Sequence, residues 1–258
     1  MPRCRSPHNR AFLKEVPIMA DRPLDTTRLP RHVGIIMDGN GRWANQHKLL
    51  VALGHNAGVQ AMRNIIRDAN DLGLEVLTLY AFSTENWKRS KAEVDALMAL
   101  LLKYFRQDID ELKEKNVRVL ILGDKDGMPA PQREALYDAE ERTKACTGMQ
   151  LCLAINYGGR AELVRAAKLL AKEALAGQLD PEAIDEALFS RRLYTAGLPD
   201  VDLLIRTSGE MRLSNYLLWQ SAYAEYAFPP MLWPDFTVED FHACLAAYQQ
   251  RNRRFGGR

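Results

Sequence analysis

The chain has 258 residues, 47% of them hydrophobic, and a formal net charge of only +2. This length and apolar fraction allow one large core or two small ones. The near balance of 35 basic and 33 acidic residues argues against a general nucleic-acid-binding protein, which normally carries a clear basic excess. No apolar run approaches the ~18 residues of a transmembrane helix, so we predict none.

The cysteines and the N-terminal composition indicate the compartment and the domain boundary. Cys4, Cys146, Cys152 and Cys244 show neither CxxC spacing nor another metal-ligand spacing. We therefore predict reduced, mostly buried thiols in a cytosolic protein that binds no nucleic acid. Residues 1–30 carry several prolines and scattered arginines without periodicity, so we predict a loose tail followed by one domain over 31–258.

After the tail, apolar runs of strand length alternate with helical periodicities. In chain order they predict strand 33–37, helix 54–72, strand 74–82, helix 93–114, strand 117–122, helix 129–145, strand 151–156, helix 160–176, a short helix 181–190, strand 201–206 and a closing helix 237–254. Strands that alternate with helices are typical of a largely parallel sheet covered by helices on both faces. No repeat or composition break follows residue 30, so we predict a single α/β domain.

The first strand runs into a motif suited to phosphate. Asp38 ends the apolar run and is followed by Gly39, Asn40, Gly41 and Arg42. Glycine and asparagine tolerate positive φ and allow a backbone to approach a ligand closely. The forked guanidinium of arginine suits phosphate. The motif predicts a diphosphate cradle, with an ordinary β-turn capped by an aspartate as the alternative.

The later strands end in similar polar clusters, over 83–89, 156–160 and 206–214. Because the carboxyl ends of parallel strands share one edge of a sheet, we expect these clusters to converge on one cleft. Together they indicate a ligand with several negative charges, although any single arginine can also be a solvated surface residue. The arginines concerned are Arg42, Arg89, Arg160, Arg206 and Arg212.

Two carboxylates are candidates for a hard cation. Mg²⁺ is usually held by one or two carboxylates while substrate phosphates complete its shell. Asp38 stands at the predicted cleft, and Glu225 lies in the apolar-aromatic stretch 222–228, where a charge needs a partner. The alternative for Glu225 is a salt bridge to an arginine.

The helix predicted over 93–114 contains the stretch ALMALLL at 96–102, which is apolar on every side. Such a helix must bury a second face. That face either lies deep in the domain or in a dimer interface, or it lines an apolar channel beside the sheet, opposite residues 80–82. An anionic head site next to an apolar channel describes an amphiphile such as a prenyl diphosphate.

Seven segments of the chain resemble, in order and spacing, the cis-prenyltransferases, and most of all the bacterial undecaprenyl diphosphate synthases. They are HVGIIMDGNGRWA, GHNAG, LTLYAFSTENW, NYGGR, IRTSGEMRLSNYLLWQSAYAEY, LWPDF and RRFGG. The resemblance begins near Leu29 and reaches the C-terminus, and motifs of this length and number are highly specific.

The resemblance implies an enzyme that condenses farnesyl diphosphate with successive isopentenyl diphosphates, forms a Z double bond each time and requires Mg²⁺. The implied product is the undecaprenyl precursor of a cell-wall carrier lipid. The implied assembly is a homodimer, with YAEY and RRFGG at its interface. We expect a cytoplasmic protein that contacts the membrane peripherally when it releases its product.

The same resemblance assigns roles to individual residues. Asp38 is implied as the principal catalytic residue and Mg²⁺ ligand, and Glu225 as a metal ligand from the partner side. Asn86 is implied as the proton acceptor. A neutral amide is a very weak base, however, so Asn86 can instead orient the isopentenyl group, pass the proton to a diphosphate oxygen or cap the following segment.

The remaining implied residues bind substrate in three groups. Those of the allylic diphosphate site are Gly39, Asn40, Gly41, Arg42, Trp43 and His55. Those that close over the substrates are Ser83, Thr84, Glu85, Trp87 and Arg89. Those of the isopentenyl diphosphate site are Arg206, Arg212, Leu213 and Ser214.

Two positions depart from the family pattern. Val51 stands where many members have an arginine, so one diphosphate ligand is missing or is supplied by Lys48. Met211 stands where some members have a metal-associated histidine, so the Mg²⁺ shell should rest on Asp38, Glu225, diphosphate oxygens and water. The floor of the channel, which limits product length, is expected at Met149, Leu151 and the helix segment 97–104.

Three other classes fit the sequence less well. A haloacid-dehalogenase-type phosphatase needs a second aspartate at the position of Asn40, and a trans-prenyltransferase needs DDxxD motifs, which the chain lacks. A non-catalytic homologue that acts as the binding subunit of a prenyltransferase complex would be expected to lose its aspartate or its arginines. This chain keeps Asp38, Arg42, Arg206, Arg212 and Glu225.

Overall fold

The structure is a computed structural model that describes residues 24–251. Its strands are β1 (His32–Ile36), β2 (Val76–Ser83), β3 (Arg118–Leu122), β4 (Gln150–Tyr157), β5 (Leu203–Arg206) and β6 (Glu225–Ala227). Within the described range they form one six-stranded sheet in the order β3-β4-β2-β1-β5-β6, and all neighbours are parallel. The predicted α/β fold with a parallel central sheet is confirmed.

The helices of residues 24–251 are α1 (Asn40–Gln46), α2 (Val51–Asp71), α3 (Lys91–Glu114), α4 (Ala130–Thr143), α5 (Gly159–Leu175), α6 (Glu186–Ser190) and α7 (Val238–Gln249). The predicted helices are present with shifted ends. The short helix expected over 181–190 is divided into a 3-10 turn (Pro181–Ala183) and α6. The closing helix was predicted too long, because α7 ends at Gln249 with Gln250 as its C-cap rather than at residue 254.

The predictions missed two elements, α1 beside the site and the edge strand β6. The sequence of α1 contains glycine and asparagine and no apolar periodicity, so its stability must come from packing. Gly54 of α2 allows that packing, because a Cβ there would lie 2.2 Å from the carbonyl oxygen of Asn40. β6 has only three residues and depends on its pairing with β5.

Side chains alternate between the two faces of the sheet, as the strand period requires. On β4, Leu153 and Ile155 point into the larger core, which is built with α2, α3, α4 and α7, whereas Cys152 and Ala154 point into a smaller cluster on the opposite face. That smaller cluster includes Tyr216 and neighbouring residues of the irregular segment after β5. Both faces are therefore covered.

The sheet register brings the carboxyl ends of three strands to one place. Ile36, the last residue of β1, lies between Tyr80 of β2 and Arg206 of β5. The chain leaves β1 toward β2 on one side and returns to β5 on the other. In open parallel sheets such a reversal opens a crevice at the carboxyl ends of the strands.

The described part of the predicted N-terminal tail is packed, which corrects the prediction for residues 24–30. A 3-10 turn covers Thr26–Arg28, and Leu24 and Leu29 pack against the larger core. The backbone N–H of Asp25 donates to Gln249 of α7 at 3.1 Å. Apolar contacts thus extend the domain before residue 31, while residues 1–23 lie outside the described range.

Two further predictions concern cysteines and the membrane. Cys146, Cys152 and Cys244 are buried free thiols, and burial raises the pKa of Cys152 and of Cys244 to about 12, so both remain protonated at neutral pH. Cys4 lies outside the described residues. None of the helices formed by residues 24–251 has the length and apolar character needed to cross a bilayer.

Candidate active site

Asp38 and Arg206 form the centre of the site. Asp38 follows β1, and its Oδ2 accepts a hydrogen bond of 2.7 Å from Nη2 of Arg206, the last residue of β5. Arg42 lies on the other side of the carboxylate, with Nη2 at 3.0 Å from Oδ1. Partial burial pushes the pKa of Asp38 upward, but these two guanidinium groups outweigh it and hold the pKa below its ordinary value of 3.8. The carboxylate is therefore ionised at neutral pH.

Arg206 is almost completely buried, and its guanidinium is fixed on several sides. Nη1 donates to the carbonyl oxygen of Arg212 at 2.5 Å and to Oγ of Ser214 at 2.6 Å. A buried cation needs such partners, because desolvation of an unpaired charge is costly. The contacts hold the loop 207–214 against the end of β5.

The turn after Asp38 explains the first glycine of the motif. Gly39 has φ of +115°, and a Cβ at this position would lie 2.9 Å from the side chain of Leu232. Asn40 then begins α1, and Gly58 of α2 makes room for its side chain, because a Cβ there would lie 2.1 Å from the Asn40 Oδ1. This buried oxygen has no hydrogen-bond partner within the described residues.

Glu210 links two of the predicted phosphate-binding arginines. Its Oε1 lies 3.1 Å from Nη1 of Arg42, and its Oε2 contacts Nη1 of Arg212. Arg42 also donates to Oγ of Ser208 at 2.6 Å. Glu210 thus pairs with two of the guanidinium groups that the sequence predicted to bind phosphate.

The segment after β2 forms a 3-10 helix, Thr84–Lys88, with a capping box. Oδ1 of Asn86 accepts from the backbone N–H of Ser83 at 2.9 Å, so the capping alternative for Asn86 is observed. The indole N–H of Trp87 donates to Oδ1 of Asn156 at 2.8 Å. These contacts fix the segment beside the carboxyl end of β4.

His55, Arg89 and Glu93 meet at the beginning of α3. Arg89 donates to Oε1 of Glu93 at 2.7 Å, and Nε2 of His55 lies 3.5 Å from the same oxygen. Burial lowers the pKa of His55, and the nearby charge of Arg89 adds to the effect, although Glu93 opposes it. In the free protein this imidazole is therefore mostly neutral at pH 7.

A single cavity of ≈ 690 Å³ joins the polar cluster to an apolar wall. The wall includes Leu97, Leu100 and Leu101 of α3, facing Leu153 and Ile155 of β4. The second apolar face of α3 thus lines a channel, as the second of the two alternatives predicted. A charged end and an apolar body in one cavity are the features that an amphiphilic anion requires.

Ten of the predicted site residues line this cavity. They are Asp38, Asn40, His55, Ser83, Glu85, Asn86, Arg89, Arg206, Arg212 and Ser214. The remaining predicted residues do not line it, although Arg42 contacts Asp38 directly. Those outside the lining are Gly39, Gly41, Arg42, Trp43, Thr84, Trp87, Leu213 and Glu225.

Trp43 and the two departures lie outside the cavity lining. The indole N–H of Trp43 donates to Oδ1 of Asp235 at 2.7 Å, and its ring lies against that of His47, with centroids 4.1 Å apart and planes tilted by 30°. Val51 is the first residue of α2. Lys48, in the loop before α2, is exposed and does not line the cavity. The side chain of Met211 is largely exposed. Neither departure supplies a charged group to the cavity.

Glu225 does not reach the site within its own chain. In the sheet it lies opposite Leu203, which in turn pairs with Val33 near the beginning of β1. Its carboxylate accepts from Nη1 of Arg251 at 2.7 Å, so the salt-bridge alternative is observed. A metal role for Glu225 would have to be exercised toward a partner chain.

The expected channel floor is only partly correct. Leu97, Leu101 and Tyr104 line the cavity, as expected for the α3 segment. Met149 and Leu151 are buried in the larger core beneath it and are not part of the lining. The residues of β4 that line the cavity are Leu153 and Ile155.

Three residues of the site were not predicted from the sequence. Glu210 pairs with Arg42 and Arg212, Thr207 exchanges hydrogen bonds with the backbone of Asp38, and Asn215 lines the cavity. All three follow β5 and lie close in sequence to Arg206 or Arg212. Their position near the end of a strand could therefore have been predicted. The contacts of Glu210 with Arg42 and of Thr207 with Asp38 could not be predicted, because the partners lie 168 and 169 positions away in the chain.

The donor set of the site fits Mg²⁺. The ionised carboxylate of Asp38 faces the cavity and has lone pairs beyond those used by the two arginines. In the part of the chain that the structure describes, no group of three or more His, Cys, Asp or Glu residues could hold a metal. One carboxylate with free lone pairs is enough for a Mg²⁺ ion whose shell is completed by phosphate oxygens and water.

Comparison with known proteins identifies the class to which this fold and site belong. Residues 36–256 match the family model described as "Putative undecaprenyl diphosphate synthase". The chain therefore belongs to the cis-prenyltransferase family, and it is an enzyme of that family.

Close relatives carry one common description. The isoprenyl transferase of Clostridium tetani is 50% identical over 234 residues, which cover 91% of this chain and 92% of that protein. The isoprenyl transferase of Geobacillus kaustophilus is 51% identical over 244 residues, 95% of each chain.

Solved structures agree with the fold. Lavandulyl diphosphate synthase from Lavandula x intermedia, in complex with dimethylallyl diphosphate, has a TM-score of 0.86 at 41% identity and covers 88% of this chain and 98% of its own. A probable undecaprenyl diphosphate synthase from Campylobacter jejuni has a TM-score of 0.73 at 33% identity, with coverages of 89% and 99%.

Proposed function

We propose that this protein condenses an allylic prenyl diphosphate, with farnesyl diphosphate as the natural primer, with successive isopentenyl diphosphates. The product is a long-chain Z-polyprenyl diphosphate, which we propose to be the undecaprenyl precursor of the carrier lipid for cell-wall synthesis. One observation carries the proposal: the Asp38–Arg206 cluster and the apolar face of α3 belong to the same cavity.

The charges of the cluster support the reaction. Ionisation of an allylic C–O bond places negative charge on the departing diphosphate, and fixed positive groups stabilise that charge. Arg42, beside Asp38, would hold the allylic diphosphate, and Arg206, Arg212 and Ser214 would hold the isopentenyl diphosphate. When bound at Asp38, Mg²⁺ would supply further positive charge to the leaving group.

Proton removal after carbon–carbon bond formation needs a base other than the Asn86 amide. That amide already accepts a hydrogen bond from Ser83 and is a very weak base. We therefore propose a diphosphate oxygen as the proton acceptor. Asn86 would hold the segment 84–88 in place around the isopentenyl group.

The apolar wall supports an elongation reaction. A growing prenyl tail would leave the charged end and lie along Leu97, Leu101 and Leu153, where its burial is favourable by roughly 0.8 kcal/mol per CH₂. The related lavandulyl diphosphate synthase was crystallised with an allylic diphosphate, which agrees with this choice of ligand class.

The proposal includes a homodimer in the cytoplasm that touches the membrane when it releases product. In such a dimer Glu225, on the edge strand β6, would face the partner. Its carboxylate would exchange the salt bridge to Arg251 for a contact with the metal ion of the partner's site. The segment RRFGG lies outside the described residues. Sedimentation equilibrium tests the dimer, and a monomer with full activity would contradict a shared metal site.

The activity is tested with farnesyl diphosphate and radiolabelled isopentenyl diphosphate, with Mg²⁺ and with excess chelator. We expect label in the butanol extract only when Mg²⁺ is present, and the mass of the dephosphorylated product gives the chain length. Binding of both substrates without incorporation would instead identify the non-catalytic subunit considered above.

A further inference from the structure

Asn215 occupies the beginning of α5 although it belongs to a distant segment. Its backbone has φ of +64°, and its carbonyl oxygen accepts from the N–H of Gly159 at 2.7 Å. Its Oδ1 accepts from the N–H of Arg160 at 2.8 Å. Because the first amides of a helix have no partner within the helix, Asn215 caps α5 from outside.

The other end of the same amide holds the segment that follows β2. Nδ2 of Asn215 donates to Oε1 of Glu85 at 2.9 Å. Gly158 leaves room for this contact, because a Cβ there would lie 2.8 Å from the Asn215 Nδ2 and 2.6 Å from the Thr84 Oγ1. Three chain segments therefore meet at one asparagine.

Asn215 also adjoins the anion-binding cluster. The preceding residue, Ser214, accepts from Arg206 at 2.6 Å, and Arg206 donates to Asp38 at 2.7 Å. Asp38, Glu85, Arg206, Ser214 and Asn215 all line the cavity. A continuous path of hydrogen bonds and one peptide link thus joins the Asp38 carboxylate to Glu85.

We propose that Asn215 is a positioning residue that couples the segment 83–89 to the Arg206–Ser214 anion site. An anion held by Arg206 and Ser214 fixes the backbone at Asn215, and the Asn215 amide then fixes Glu85 and the 3-10 helix over the cavity. The proposal rests on the proposed function only in taking that anion to be a diphosphate.

The charge of Glu85 allows the Asn215–Glu85 hydrogen bond to be tested by exchanging its donor and acceptor. Partial burial raises the pKa of Glu85, but the hydrogen bond from Asn215 and those within its own loop outweigh it, so the pKa lies below its ordinary value. The carboxylate is thus ionised at neutral pH. In Asn215→Asp the cap of α5 is kept, since aspartate is as good a cap as asparagine, but two carboxylates face each other.

The experiment compares the wild type, Asn215→Asp, Glu85→Gln and the double variant Asn215→Asp/Glu85→Gln. In the double variant the new glutamine amide can donate to the new carboxylate, which restores the hydrogen bond with reversed polarity. Asn70→Asp, which adds the same charge at the end of α2, is the matched control. A role in capping alone predicts no defect in Asn215→Asp and no effect of the second change.

Two readouts are needed. The first is hydrogen exchange of residues 84–90, with and without inorganic pyrophosphate, because it requires no turnover. We expect pyrophosphate to protect the segment in the wild type, Asn215→Asp to lose that protection and the double variant to regain it. The second is steady-state kinetics, in which we expect Asn215→Asp to lower kcat/KM for isopentenyl diphosphate about tenfold, mainly through KM, and the double variant to recover.

Three results would each overturn the coupling. In the first, pyrophosphate protects the segment in Asn215→Asp as well as it does in the wild type. In the others, pyrophosphate gives no protection in the wild type, or the double variant is no better than Asn215→Asp. If Asn215→Asp proves unfolded in a thermal scan, Glu85→Ala breaks the same bond without touching α5, and the same loss of protection is expected. A protein that shows the coupling but no elongation would overturn the proposed function alone.

Discussion

Asp38 and Arg206 lie 168 positions apart in the chain and meet through a 2.7 Å hydrogen bond at the ends of the neighbouring strands β1 and β5. The parallel register of these strands creates the contact, since Ile36 is paired with Arg206. The contact places an ionised carboxylate beside a buried guanidinium in one crevice, where we propose a metal ligand and an anion-binding group.

Asp38 is expected to be indispensable for turnover. Asp38→Ala should abolish incorporation of isopentenyl diphosphate, a loss of at least about 10³-fold, because the charge that would hold Mg²⁺ is gone. Asp38→Asn keeps an acceptor for Arg206 and should be equally inactive while it unfolds at nearly the wild-type temperature.

The matched control for Asp38 is Asp138→Ala, which removes an exposed carboxylate of α4. It should have wild-type activity. Near-wild-type rates in Asp38→Ala would contradict the assignment, and a folded Asp38→Asn that still responds to Mg²⁺ would do the same.

His55 should take up a proton when a diphosphate binds. Burial holds the pKa of His55 below 6.5 in the free protein, and a nearby anion raises it. Between pH 6 and about 7 the wild type should therefore absorb more protons per bound pyrophosphate than His55→Gln. Calorimetry in buffers of different ionisation enthalpy measures this, and equal proton uptake in the two proteins would place His55 away from the anion.

The volume of the apolar wall should limit product length. Ala81 of β2 lines the cavity, so Ala81→Leu narrows it and should shorten the product by one or more isoprene units. Ala187→Leu, on the exposed side of α6, is the control for the same added volume. Mass spectrometry of the dephosphorylated products measures the change, and an unchanged length would mean that the tail runs elsewhere.

His32 should weaken the fold in acid. It is fully buried on β1, with Nδ1 donating to the carbonyl oxygen of Pro199 and Nε2 accepting from Thr78, and burial lowers its pKa to about 4. The unfolded chain binds this proton below about pH 6.5, whereas the folded protein binds it only near pH 4, so stability falls as the pH drops between these values. The loss attributable to His32 is about 3 kcal/mol.

Denaturant unfolding at pH 7 and pH 4 measures that loss. His32→Gln should lose less free energy of unfolding between the two pH values than the wild type does, although it is less stable at pH 7. His47→Gln, which removes an exposed histidine, should follow the wild type. An identical pH dependence in His32→Gln would show that another group is responsible.

Much of the fold and of the site's location could be predicted because it follows from local pattern. Apolar runs marked five of the strands, and Asp38, Ser83 and Arg206 stand where those strands end. Because the carboxyl ends of parallel strands lie at one edge of a sheet, the prediction of a parallel sheet placed these residues at the same edge. The short helix α1 could not be predicted, because the glycines of α2 stabilise it by allowing close packing rather than through any periodicity of its own.

Other features depended on distances that only the folded chain sets. Glu225 was predicted as a metal ligand from the partner side. Within its own chain the register of β6 places it beside Arg251, and its metal role stays a prediction. The floor was expected at Met149 and Leu151, but both residues are buried in the larger core, and the β4 residues that line the cavity are Leu153 and Ile155. Asn215 stood within a quoted motif, yet its role depends on Glu85, 130 positions away.

A crystal structure of the protein with farnesyl diphosphate bound in the presence of Mg²⁺ tests the central claim most directly. The account predicts the diphosphate beside Asp38 and Arg42, and the farnesyl chain along Leu97, Leu101 and Leu153. A diphosphate bound away from Asp38, or a farnesyl chain lying outside this cavity, would contradict it.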